Sequence, residues 1–163
     1  MTNTELESFD VVGIFTRTTN ADEMAGAARL AEVWGRFVSQ DLGSKIPCRV
    51  DNNLLGVYFD YESDANGAYS FILGARVAPG TIAPDGFKKI SIPSQSYFKL
   101  SSAVGTIPKI VLEAWQTIWN MSDNSKIERV YSFDFEEYDH RAMNPQEAQF
   151  DLFISIKPPS QQF

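Results

Sequence analysis

The segment YSFDFEEYD, Tyr131 to Asp139, holds four carboxylates and still alternates like a strand. Tyr131, Phe133 and Phe135 share one face of such a strand, and Asp134, Glu136 and Tyr138 share the other. Its central tetrapeptide, Phe133-Asp134-Phe135-Glu136, echoes Phe59-Asp60-Tyr61-Glu62 earlier in the chain. Phe71, Leu73, Val77 and Pro79 are echoed in the same way by Phe150, Leu152, Ile156 and Pro158, and Trp34 by Trp115. Echoes that recur in one order predict an internal duplication.

The elements around these echoes fit that reading. Phe9 to Thr16 reads as a strand. Asn20 with Glu23 forms a capping-box pattern ahead of a helix whose stripe is Ala27, Ala31, Trp34 and Val38, with Leu30 and Phe37 beside it and Gly43 as the stop. Leu54 to Glu62 and Tyr69 to Val77 read as a hairpin turning near Gly67. Residues 79–93, with Pro79, Gly80, Pro84, Gly86 and Pro93, read as a connector. The pattern then restarts with a strand at Ser96 to Ser101 and a helix from Pro108 that carries Val111, Trp115 and Ile118. Strands at Tyr131 to Tyr138 and Phe150 to Ile156 complete it. The expected fold class is α+β: two pseudo-symmetric β-α-β-β repeats with antiparallel sheets and a ligand groove between them. One domain over 1–163 is expected, with repeat one at about 8–79, a connector at about 80–93 and repeat two at about 94–158.

Composition narrows the function classes. The chain is 44% hydrophobic and 13% aromatic, enough for a packed core, and its formal net charge is −7. That charge argues against direct nucleic-acid binding, which needs a basic stripe, and against an anionic membrane surface, while permitting a cationic ligand. No apolar run approaches the roughly 18 residues of a membrane span. Cys48 is the one cysteine, and the N-terminus lacks a basic start and an apolar run, so a reducing, cytoplasmic setting is expected.

Several chemistries compete for the carboxylates. Asp134, Glu136, Glu137 and Asp139 lack the glycine turn and ligand spacing of a calcium loop, and alternation on a strand disperses them, so no metal is expected. Glu62 and Glu136 form a candidate symmetry-related acid pair. Glu137 and Asp139 suit a solvated strand edge that resists aggregation. Nucleophilic catalysis has little to build on: His140 is the one histidine, and no Gly-x-Ser-x-Gly elbow or phosphate-binding glycine loop occurs. No catalytic residue and no cofactor is assigned. Aromatic residues are abundant, and most belong to a core. Rings beside one buried carboxylate nevertheless form a receptor for a lipophilic cation, with the ring faces attracting it and the carboxylate neutralising its charge.

The whole chain, roughly residues 9 to 157, resembles the GyrI-like family. These effector-binding domains also occur behind helix-turn-helix segments in AraC-type and multidrug-sensing transcription regulators, and as stand-alone bacterial proteins on integron cassettes. The resemblance rests on Trp34-Gly35-Arg36-Phe37, Val57 to Asp64 with Gly67-Ala68-Tyr69, Ile92 to Tyr97, Trp115 with Ile118-Trp119, and Asp134 to Tyr138. It implies two β-α-β-β repeats around a groove for amphipathic, often cationic, small molecules. The family's buried glutamate falls on Glu136 by the Phe-Glu-x-Tyr match, and the implied aromatic walls are assigned to Trp34, Tyr58, Tyr69, Trp115 and Tyr138. The segment ahead of Phe9 is too short for a helix-turn-helix, so direct DNA binding is not expected; what ligand occupancy is for stays open, with a transcription-regulator partner or a homo-oligomer as the candidate partners. Two alternatives remain open at this point. One is hydrolysis of small electrophiles with Glu136 as base; the other is a role as the protein partner of a regulator.

Overall fold

The computed structural model describes residues 1–158; the last five residues of the expected domain lie outside the described residues. In chain order the strands are β1 (Thr2–Leu6), β2 (Phe9–Thr19), β3 (Leu54–Phe59), β4 (Ala68–Val77), β5 (Lys88–Ile92), β6 (Gln95–Ser101), β7 (Asp134–Tyr138) and β8 (Asp151–Ser155). The helices α1 (Asn20–Met24) and α2 (Arg29–Ser39) follow β2, and α3 (Lys109–Asp123) follows β6. All eight strands join one antiparallel sheet in the order β1-β6-β8-β7-β3-β4-β2-β5.

The connections force this sheet to curl. β1 and β2 stand six strand spacings apart, yet only Glu7 and Ser8 join them; β5 and β6 are equally far apart, joined by Pro93 and Ser94. Six spacings in a flat sheet measure about 29 Å, whereas three Cα steps reach at most about 11 Å. The two ends of the sheet therefore approach each other, and the Ser8 amide donates to Ser94 Oγ across the gap. The inner face closes over Val11, Leu55, Val57, Ile72, Tyr97, Phe135 and Phe153. There Phe9, near one edge, meets Phe135 on a central strand with ring centroids 5.6 Å apart. The outer face carries the helices: α2 packs Val33 and Phe37 on β2 and β4, and α3 packs Ile110, Ala114, Trp115 and Ile118 on β6 and β8.

The strand order is palindromic about the β7–β3 junction, so β2, β3 and β4 correspond to β6, β7 and β8. β1 and β5 extend the relation, because each precedes one repeat in the chain and flanks the outer strand of the other. Register fixes the residue correspondence. Leu55 pairs with Gly74, and Phe135 pairs with Phe153. Placing Phe71 on Phe150 therefore puts Leu55 on Phe135, Gly56 on Glu136 and Tyr58 on Tyr138. The tetrapeptide echo does not follow this correspondence: Phe59 to Glu62 run off the end of β3, whereas Asp134 to Glu136 open β7. Duplication holds, but Glu62 is an exposed hairpin residue and is not the partner of Glu136.

Other expectations are corrected. The connector contains β5, and β1 precedes the first expected strand. The single first helix is two: Thr19, whose hydroxyl accepts from the Asp22 amide, caps α1, and Gly26 at a left-handed φ of 95° separates it from α2. The buried stripe of α2 is Val33 and Phe37, while Val38 is exposed. The helix stops at Gln40 before Asp41, which is left-handed, and Gly43 lies in the following 3-10 turn. No helix among the described residues is long and apolar enough to cross a membrane.

Candidate functional site

Glu136 and Gly56 sit opposite each other across β7 and β3, on the helix-bearing face. A Cβ on Gly56 would lie 3.0 Å from the Phe71 ring and 3.2 Å from Glu136 Oε1, so the missing side chain makes room for the carboxylate. Glu136 is 1% exposed. Its Oε2 accepts hydrogen bonds from Trp115 Nε1 at 2.7 Å and Tyr58 OH at 2.9 Å; its Oε1 accepts one from Tyr138 OH at 2.7 Å. Burial pushes the Glu136 carboxyl up from its ordinary value, and the bonds from Trp115, Tyr138 and Tyr58 oppose that shift. Burial and then the charge of Glu136 hold the Tyr58 and Tyr138 phenols well above theirs, so both remain donors.

The repeats frame this carboxylate symmetrically. Tyr58 and Tyr138, which correspond by register, each give a hydroxyl to it. Trp115 packs edge-on against Tyr58 at 4.9 Å, and Trp34 packs edge-on against Tyr138 at 5.2 Å. Only Trp115 reaches a carboxylate, because Gly56 stands where a second one would be.

A cavity of about 400 Å³ opens between α1, α2 and α3. Tyr58, Tyr69 and Trp115 line it from below; Leu30 and Val111 are among its walls, and Met24 and Leu112, both exposed, lie at its mouth. Glu136 lies behind Tyr58 and Trp115 and does not itself line the cavity. Of the residues singled out in the sequence, Tyr58, Tyr69 and Trp115 thus line it, and Glu136 underlies it. Tyr138 and Trp34 stand beyond Glu136, outside the lining.

Sequence reasoning missed Met24, Leu30, Tyr61, Val111, Trp119 and Arg129. Leu30, Val111 and Trp119 carry a helical-spacing signal, but that spacing reads the same for core and cavity. Arg129 carried no signal; it forms a buried ion pair with Asp134 at 2.9 Å, the side chains 3% and 0% exposed. Asp134 also accepts from the Ser155 amide, the Ser155 hydroxyl and Tyr61 OH, which makes it a structural anion. Glu137 and Asp139 are ion-paired rather than merely solvated, with Arg76 at 3.0 Å and Arg141 at 2.8 Å. Among the described residues, no three His, Cys, Asp or Glu side chains cluster to hold a metal.

A model of integron-associated effector-binding proteins, Cass2, matches residues 4–156. The chain belongs to the Cass2 family. Binding of a small-molecule effector is the function that membership carries. The chain is 32% identical over 158 residues to the putative transcriptional regulator protein YobU of Bacillus subtilis, covering 96% of each chain. It is 28% identical to the transcriptional regulator BrlR of Pseudomonas aeruginosa over 93% of this chain, but spans only 53% of that protein's length. Its fold is similar to the integron cassette protein from the mobile metagenome of Vibrio cholerae, with a TM-score of 0.77, 28% identity and coverage of 96% and 95%. SAV2435, solved in complex with tetraphenylphosphonium, has a similar fold at a TM-score of 0.77 and 16% identity, with coverage of 96% and 93%.

Proposed function

We propose that the cavity receives a lipophilic organic cation and that Glu136 supplies its counter-charge through the rings in front of it. The observation that carries this reading is the buried Glu136, whose side-chain hydrogen-bond partners are the polar tips of three aromatic rings, two of them cavity wall. A cation resting on the faces of Trp115 and Tyr58 gains a desolvated cation–π contact, about 2 kcal/mol. Both rings donate to an anion at their edges, which pushes electron density into their π faces and strengthens that attraction. The carboxylate need not move or lose a hydrogen bond when the ligand arrives. Glu23 adds a second negative charge near the entrance; it is the largest influence after burial in holding the Tyr69 phenol above its ordinary value. The tetraphenylphosphonium complex of SAV2435 supports the reading, since that ligand is a bulky aromatic cation.

The hydrolase alternative finds no support in this geometry: both oxygens of Glu136 accept from ring donors, and the residue is buried and outside the cavity lining. The kinship with YobU and BrlR supports a ligand-dependent contact with transcription machinery as the output of binding. The reading is tested by a thermal-shift screen pairing tetraphenylphosphonium with neutral triphenylphosphine oxide. A ligand bound only by the folded state raises the midpoint, so a shift with the cation that exceeds the shift with the oxide supports the proposal. Equal shifts, or none, overturn it.

A further inference from the structure

A second compartment, about 270 Å³, adjoins the first and shares Asn20, Met24, Ala65, Trp119 and Arg129 with it. Its character differs. Ser122, Asp123, Asn66 and Tyr131 complete its lining, where the first compartment has Leu30, Val111 and Tyr69. Arg129 is the partition: its Cζ lies 4.3 Å from the Tyr131 ring centroid on one side and 5.8 Å from that of Trp115 on the other. Only part of its donor capacity is used. Nη2 donates to Asp134, but among the described residues the buried Nε has no hydrogen-bond partner. A buried donor left unpaired is costly and rare in a folded protein. Tyr131 adds a second oddity: its backbone is left-handed, with φ 52°, an unfavourable state for a bulky residue. Strain of this kind persists where the surrounding structure imposes it, and it clusters at ligand clamps.

Resting on the cation reading of the first compartment, we infer that the second is a polar subsite, and that the effector is an amphiphilic cation with a neutral, hydrogen-bond-accepting arm laid against Arg129. A carbonyl, amide or ether oxygen is the fitting acceptor. A carboxylate is not, because Asp134 already neutralises the guanidinium and Asp123 lines the same compartment. Ser122 and the Asn66 amide offer further hydrogen bonds to an amide arm. The aromatic cation holds the ligand at Trp115 and Tyr58, and the arm supplies the selectivity that an apolar pocket lacks.

The test compares two isosteric phosphonium ions by isothermal titration: (4-amino-4-oxobutyl)triphenylphosphonium, whose arm ends in an amide, and (4-methylpentyl)triphenylphosphonium, whose arm is purely apolar. The amide is expected to bind about ten-fold more tightly to the unmodified protein, the ratio a single well-made polar contact supplies. Ser122→Phe fills the second compartment from the surface of α3 and is expected to abolish the preference while leaving tetraphenylphosphonium binding unchanged. Arg129→Lys keeps a cation for Asp134 but removes the guanidinium fork that lines the compartment, and is expected to reduce the preference at least five-fold. If both phosphonium ions bind equally to the unmodified protein, or if the preference survives Ser122→Phe, the polar subsite is refuted and the cation pocket stands. If neither ion binds, the cation pocket falls and the subsite with it.

Discussion

Replacing Glu136 by glutamine isolates the charge from the shape of the site. The amide is nearly isosteric with the carboxylate, its oxygen can still accept from Trp115 and Tyr58, and the Tyr138 hydroxyl can rotate to accept from its NH₂. What is lost is one negative charge behind the wall. A cation on the Trp115 face lies within about 6 Å of the ring, and Glu136 Oε2 stands 2.7 Å beyond the indole nitrogen at the ring's edge. A charge separation of about 8 Å at an effective dielectric of about 20 gives roughly 2 kcal/mol, which is about a thirty-fold loss in Kd. A neutral ligand loses only the ring polarisation and is expected to change less than three-fold. Isothermal titration of the unmodified protein and Glu136→Gln with tetraphenylphosphonium and triphenylphosphine oxide measures both. Equal losses for cation and oxide would falsify the charge argument, as would a cation loss below about three-fold.

The remaining predictions follow from the same geometry. Because Glu136 titrates above the 4.5 of an ordinary glutamate, the folded protein binds a proton that the unfolded chain has released in the window from 4.5 up to the raised value. Stability should therefore fall as pH rises through that window and level off above it; in Glu136→Gln, denaturation midpoints should lack this component. Cation affinity runs the opposite way, rising with pH as the carboxylate ionises, and titrations across the window should show the rise in the unmodified protein only. Asp134→Asn removes the charge that pairs with buried Arg129, and urea denaturation should show a loss of about 3–5 kcal/mol. Gly56→Ala pushes a methyl against Phe71 and Glu136; the expected cost is about 1–3 kcal/mol, with a change in Trp115 fluorescence as its carboxylate partner shifts.

The sequence carried the fold class because strands packed on one face and amphipathic helices leave periodic signals. β4 is buried along nearly its whole length and reads as an apolar run. β1 and β5 left no such signal: they are edge strands with mostly exposed side chains, TNTEL and KKISI, and β5 lies among prolines and glycines. Their presence is a consequence of pairing with the other repeat, which lies far away in sequence. The mis-phased stripe of α2 came from taking Ala27 and Ala31 as core positions: Ala27 precedes the helix, Ala31 is exposed, and the buried face runs through Val33 and Phe37 with Leu30 packed beside them. In the site, Glu136, Tyr58, Tyr69 and Trp115 came from the family resemblance; strand parity alone left open which face of the strand meets the groove. Which rings face the cavity and which lie behind the carboxylate was not legible, because Tyr138 and Tyr58 are equivalent in pattern and differ only in which helix covers them.

That equivalence explains why the axis between the repeats carries one carboxylate. Gly56 and Glu136 are both cross-strand partners and symmetry mates, so they lie on the axis relating the repeats. Any residue shared by both repeats at this position would face its own copy, with Cβ atoms about 5 Å apart. Two glycines would leave Tyr58, Tyr138 and Trp115 without a buried acceptor. Two glutamates would compete for one set of donors, and like charges at that distance in a buried site do not both ionise. A single ionised carboxylate on the axis therefore requires the two repeats to differ here. The smallest residue on one side and the acid on the other is the arrangement that satisfies the three donors and leaves space for the side chain. Divergence at this one pair makes a symmetric scaffold asymmetric, with Trp115 lining the cavity and Trp34 outside its lining.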